Sequence, residues 1–193
     1  SMLDGIISWL VIYGGKYFVD GIIPKRGKMD LNGGIAGYNV YQTKDGKYIT
    51  LGIAAEEKFW KALCSAIGRE DLIGRQHDED QTAIISTLQK TFLTKTRDEW
   101  LNLLRDTETC YGPVNSVAET FMDPQVLHRK LVFEMDHPTE GKIKQIKTAI
   151  KFSKTQQRAE LPPPGYGEHT EQILRELGYD DSGINDLRKT GVI

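Results

Sequence analysis

In Asn32-Gly33-Gly34 the two glycines let backbone approach another group closely and change conformation without a Cβ clash. The same glycine pair also suits an ordinary turn leading into a strand. Glu56 follows the run Tyr48 to Ile53 and stands where a helix begins, a position in which the helix dipole favours a carboxylate. His169, after Gly167-Glu168, has the chemistry of a base but the position of a cap or surface residue. Cys64 shares an apolar face with Leu63 and Ile67, which makes it a small buried hydrophobe rather than a nucleophile. Lys142, Lys144 and Lys147 offer positive charge to a phosphate, yet lysines alternating along a strand usually form a solvated or edge-protecting face.

Composition narrows what these residues can serve. With 39% hydrophobic and 27% charged residues in 193, the chain is globular in character and long enough for one ordinary domain, or one small domain with attached segments, with a real core. Its net charge of -2 comes from 25 basic and 27 acidic residues mixed along the sequence, so it offers no strong field to nucleic acid or anionic lipid. The apolar stretch Gly5 to Gly15, bounded by Asp4 and Lys16, falls far short of the ~20 residues that span a bilayer. No nucleic acid and no membrane is therefore expected as a partner. Two cysteines, Cys64 and Cys110, are too few for a disulfide framework, and His77, His128, His137 and His169 show no zinc-site spacing. A cytoplasmic, metal-free protein is expected. Ser1-Met2 stands before Leu3 without a basic leader, which reads as an internal start point of a longer protein.

The elements that must position the candidates follow from periodicity. Leu3, Ile6, Ile7, Leu10, Val11 and Phe18 recur at helical spacing, and Lys25 to Gly34 breaks that period, which sets a boundary near Asp30. Tyr38 to Tyr41 and Tyr48 to Leu51 predict a strand pair about Lys44-Asp45-Gly46, where Gly46 supplies the positive φ of a hairpin turn. Phe59, Trp60, Leu63 and Ile67 predict a helix that Gly68 ends with a left-handed cap. Ile84, Ile85, Leu88 and Phe92 predict a second helix; Trp100, Leu103 and Leu104 predict a third, behind a capping box of Thr96 and Glu99. Cys110 to Asn115 reads as extended, Ser116 to Glu119 repeats the capping pattern, and Asp123-Pro124 opens a further helical turn. A second hairpin is predicted from Val132 to Asp136 and Lys142 to Ile146, an extended stretch at Pro162-Pro163-Pro164-Gly165, and two short closing helices before Gly178 and Gly191.

Taken in order, these words resemble the second half of the family III CoA-transferases, the CaiB/BaiF group that holds formyl-CoA transferase, carnitine CoA-transferase and α-methylacyl-CoA racemase. The resemblance runs over nearly all the chain. It rests on Asn32-Gly33-Gly34 followed by Tyr38 to Tyr48, on Phe59-Trp60 with Gly68-Arg69-Glu70-Asp71-Leu72, and on Thr96 to Trp100. Gly112-Pro113-Val114, Asp123-Pro124-Gln125, His137-Pro138-Thr139, Pro162 to Pro164, Gly167 to Thr170, Leu177-Gly178-Tyr179 and Gly191-Val192 extend it.

The resemblance implies an α+β fold: a small α/β domain with an antiparallel sheet and packed helices, flanked by segments of a larger Rossmann-like domain. On that map residues 1–30 are a helix and linker from the large domain, 31–122 the small domain, and 123–193 the return to the large domain. Two such chains interlock as a homodimer. The implied substrates are an acyl-CoA and a carboxylic acid, exchanged through an aspartyl-CoA thioester, with no metal. The family's nucleophilic aspartate lies in its first half, so the N-terminal half is expected to lie outside this chain and the fragment to be inactive alone. Asp20, Asp45 and Asp123 are left as linker, turn and helix-cap residues. Asn32-Gly33-Gly34 falls where the transferases carry a glycine-rich loop over the catalytic carboxylate, although its glycine run is shorter. Glu56 aligns with the racemase glutamate that hydrogen-bonds a catalytic histidine, here a histidine outside the chain. A racemase-like isomerase and a non-catalytic α/β interaction module are the competing readings.

Overall fold

The strand pair expected about Lys44-Asp45-Gly46 forms in the computed structural model, which describes residues 1–155 and 161–193. β1 (Val40–Gln42) and β2 (Tyr48–Leu51) run antiparallel with Val40 opposite Thr50 and Gln42 opposite Tyr48. Gly46 takes φ 76°, a left-handed conformation that only glycine adopts freely. The turn is tied down by Asp45, whose Oδ1 accepts from the Thr43 hydroxyl at 2.6 Å and the Arg97 N–H at 3.2 Å. β3 (Tyr111–Pro113) pairs antiparallel with the other edge of β2, giving the order β1-β2-β3.

Three helices pack about this sheet: α3 (Glu57–Ala66), α4 (Thr82–Phe92) and α5 (Arg97–Leu104). The residues that set their periodicity are the ones buried: Trp60, Leu63, Ile84, Leu88, Phe92 and Trp100, against Tyr41, Ile49 and Leu51 of the sheet. Full burial of each such side chain contributes on the order of 1.5–3 kcal/mol. Tyr41 stacks on Phe92 at 5.2 Å, and Phe92 meets Trp100 edge-on at 5.2 Å. Both indoles satisfy their buried N–H, Trp60 on Leu72 O at 2.9 Å and Trp100 on Phe92 O at 2.8 Å. The Thr96/Glu99 capping box is present at the start of α5. Gly68 ends the first of these helices at φ 70°, with Arg69 N–H bonded back to Cys64 O at 2.7 Å. A 3₁₀ stretch, Glu70–Arg75, follows; periodicity does not announce it, and it is fixed by burial of Leu72 and the Trp60 bond.

Ahead of the sheet, the single helix expected from Leu3 to Phe18 is two, α1 (Met2–Trp9) and α2 (Val11–Asp20). Leu10 N–H bonds to Ile7 O at 3.0 Å, a tighter i→i+3 closure that interrupts the helical ladder. Neither helix buries a residue, so no packing face holds one continuous axis.

The described residues divide into two compact units, Ser1–Ser116 and Val117–Ile193. The second unit holds α6 (Val117–Met122), α7 (Pro124–His128), the hairpin β4 (Val132–His137) and β5 (Gly141–Ile146), α8 (Thr170–Glu176) and α9 (Asp181–Lys189). Asp123 caps α7, accepting from Gln125 N–H at 2.8 Å with Pro124 in the first turn. Asp180 does the same for α9 through Gly183 N–H at 2.8 Å. Ile184 is the buried hydrophobic residue among those described in this unit. Helices with small antiparallel sheets make the chain α+β.

Candidate functional site

The Asn32-Gly33-Gly34 loop is closed by its own backbone: Asn32 and Gly34 N–H both donate to Met29 O, at 2.8 and 2.9 Å. Gly33 has φ 78°, and a Cβ there would stand 2.7 Å from Gly27 O; one on Gly34 would stand 2.6 Å from Met29 O. Both positions therefore exclude any larger residue, which the glycine pair alone foretold as a turn and the geometry sharpens into a close approach. Asn39 Nδ2 reaches Gly33 O at 3.4 Å. Beneath the loop, Gly37 O accepts from Ile53 N–H at 2.8 Å, and a Cβ at Gly37 would run into Ile53 O. The loop base is thus pressed onto the residues that follow β2.

Glu56 is three residues farther on. Its Oε2 accepts from Ala54 N–H at 2.9 Å and Ala55 N–H at 3.1 Å, and it makes no side-chain cap bond to α3. Bonds from its own N–H, then from Ala55 and Ala54, hold the carboxyl below its ordinary range, as an ionised acceptor. The carboxylate thus shapes the turn after β2.

An open cleft of about 530 Å³ is lined by Tyr38, Thr50, Leu51, Gly52, Cys110 and Tyr111 among others. Its floor is the junction of β2 and β3, where Gly52 N–H donates to Cys110 O at 3.0 Å. Sequence reading missed it. Tyr38 was visible as part of a strand-like run, but nothing local links it to Cys110, which arrives only through the pairing of β3 with β2.

The remaining candidates fall to structural roles. Burial first, and Asp71 second, push the Cys64 thiol up to about 12, which leaves it protonated and inert. His169 occupies the N-cap of α8 without a side-chain cap bond. Lys144 stands opposite Glu134 and Lys142 opposite Asp136 across the β4–β5 hairpin, so each lysine faces an acid. Among the described residues no group of three or more His, Cys, Asp and Glu is placed to hold a metal, and no helix is long and apolar enough to cross a membrane.

An apolar groove of about 600 Å³ runs along α1 and α2, lined by Ile7, Leu10, Val11, Tyr17, Phe18 and Pro24 among others.

Comparison with known proteins follows the same outline. The chain is 36% identical over 172 residues to human succinyl-CoA:glutarate CoA-transferase, a match covering 84% of this chain and 38% of that protein. It is 27% identical over 185 residues to formyl-CoA:oxalate CoA-transferase of Rhodopseudomonas palustris, covering 89% and 42%. A CaiB/BaiF family protein from Brucella suis shares the fold, with a TM-score of 0.62 and 24% identity over 87% of this chain and 44% of that one. The chain therefore spans well under half the length of these relatives. The family model of CoA-transferase family III matches residues 1–170, and the chain belongs to that family.

Proposed function

We propose that these residues form part of an acyl-CoA transferase that moves CoA between carboxylic acids through an aspartyl-CoA thioester, the aspartate being supplied by sequence outside this chain. In that reaction the carboxylate attacks the thioester carbonyl and expels CoA thiolate, leaving a mixed anhydride. The thiolate then attacks the aspartyl carbonyl, releasing the first acid and forming the enzyme thioester. An incoming carboxylate attacks that thioester, and the expelled thiolate takes the new acyl group, freeing the aspartate. The Asn32–Gly34 loop closes over this centre and keeps water from the anhydride. The observation that carries this reading is the close-packed glycine loop, whose base at Gly37 meets Ile53 just after β2, in a chain matched by the family over residues 1–170.

On the same reading, residues 1–30 and 123–193 belong to a larger Rossmann-like domain, 31–122 are the small domain, and two full chains interlock. The exposed apolar groove of α1 and α2 supports this. The isolated 193-residue chain then self-associates on size-exclusion chromatography and shows no turnover; a clean monomer at high concentration counts against the arrangement.

The relatives named above are transferases, which favours transfer over the racemase-like reaction. The test uses the full-length protein that carries this sequence, incubated with an acyl-CoA and a free carboxylic acid in deuterated water. CoA transfer without deuterium at the α-carbon is expected. Exchange without transfer would give the racemase-like reading, with Glu56 as an imidazole's partner, and neither reaction would leave an interaction module.

A further inference from the structure

The glycine loop is held at its base by one side chain far away in sequence, Gln81, and one nearby, Tyr41. Ala36 N–H donates to Gln81 Oε1 at 3.0 Å, and Ala36 O accepts from the Tyr41 hydroxyl at 2.7 Å, so both polar groups of one backbone residue are clamped. Gln81 is itself nine-tenths buried, with 9% of its surface exposed, and its Nε2 donates to Asp78 O at 2.7 Å and Gln76 O at 3.1 Å. Its acceptor and both of its donors are committed, which fixes the amide in one orientation. Gly37 completes the anchor through its bond with Ile53 N–H. The tip, by contrast, is closed by backbone bonds to Met29 and the long Asn39 contact.

We infer that Gln81 is the positioning residue of the glycine loop: it fixes Ala36 as the stationary end from which Asn32–Gly34 reaches the reacting carboxylate. This rests on the reading of that loop as the cover of the active site. A buried amide suits the task because, unlike a carboxylate or an ammonium group, it accepts and donates at once without a desolvated charge. Misplacing a catalytic cover by about 1 Å costs on the order of 100-fold in rate, so the loss of this clamp is expected in kcat rather than in KM.

A matched control lies on α4, the helix that Gln81 precedes as its N-cap. Gln89 clamps the backbone of Gln42 with its own amide, accepting from the N–H at 3.2 Å and donating to the O at 2.9 Å, but on β1 and in an exposed setting. The experiment compares Gln81→Met, Gln81→Glu and Gln89→Met in the full-length protein. Turnover is followed by CoA transfer and the loop by hydrogen exchange of the peptide spanning residues 33–37. Gln81→Met is expected to lower kcat about 10- to 100-fold with KM within about threefold and to speed exchange across 33–37. Gln89→Met should leave both near wild type, and Gln81→Glu, which keeps the acceptor for Ala36 and, once protonated, one donor for the Asp78 or Gln76 carbonyl, should recover part of the loss as pH is lowered. Unchanged exchange in Gln81→Met would overturn the assignment of Gln81. Faster exchange with unchanged kcat would instead overturn the loop's place in catalysis. Equal kcat losses in Gln81→Met and Gln89→Met would reduce the effect to general stability, as would thermal melts of Gln81→Glu and Gln81→Met that track their rates.

Discussion

The segment from Ala36 to Leu104 and the unit Val117–Ile193 are built by opposite means. The first buries Trp60, Phe92, Trp100 and their neighbours in one continuous core and satisfies its indoles internally. In the second, among the described residues, Ile184 is buried while Leu161, Tyr166, Leu177 and Val192 are exposed. Its closing helices carry exposed ion pairs: Glu171 pairs with Arg188 and with Arg175, and Arg175 also reaches Asp181 at 3.2 Å. A self-contained core can carry a loop to a fixed place, whereas exposed apolar faces and surface ion pairs fit segments that complete their folding against something else. On the proposed function, the first segment positions Asn32–Gly34 and the second docks against sequence outside this chain.

The largest expected contrast is in core truncation. Trp60→Ala should cost about 3–5 kcal/mol in urea unfolding, whereas Leu177→Ala in the 193-residue chain should stay within about 0.5 kcal/mol. Comparable losses at both sites would erase the distinction. Next in size, Thr96→Ala removes the capping-box acceptor from Glu99 N–H and should cost about 1 kcal/mol in the same assay, with the change confined to the first segment's transition.

The smallest effects concern charge and sharpen the comparison most finely. Arg188 first, and Arg175 second, hold the Glu171 carboxyl below its ordinary range. A carboxylate with a lowered folded-state value contributes stability above the ordinary carboxylate range, and that contribution is lost as pH falls through the lower value. Acidification should therefore loosen α8 and α9 before the core segment, as followed by hydrogen exchange. Raising salt to about 1 M, where the screening length is ~3 Å, should do the same at neutral pH. Simultaneous loss in both regions would contradict the assignment.

How much of this was legible in the sequence depends on the range of the forces. The hairpin at Gly46, the Thr96/Glu99 box and the Asp123-Pro124 cap are local, and each formed where its residues stand. The helix expected from Leu3 to Phe18 broke at Leu10 because its periodicity promised a packing face that these residues do not supply. The 3₁₀ stretch about Leu72 depends on Trp60, and the cleft depends on β3 finding β2, both long-range events without a local signature. The glycine pair was readable as a turn; the Gln81 clamp on Ala36, across 45 positions, was not.

The site at which CoA becomes covalently attached decides the proposed mechanism, and the direct measurement is mass-spectrometric mapping of the adduct trapped when full-length protein meets an acyl-CoA. The result expected is an aspartyl-CoA thioester on a peptide outside these 193 residues. An adduct on Asp20, Asp45, Asp123 or any other side chain of this chain would contradict it.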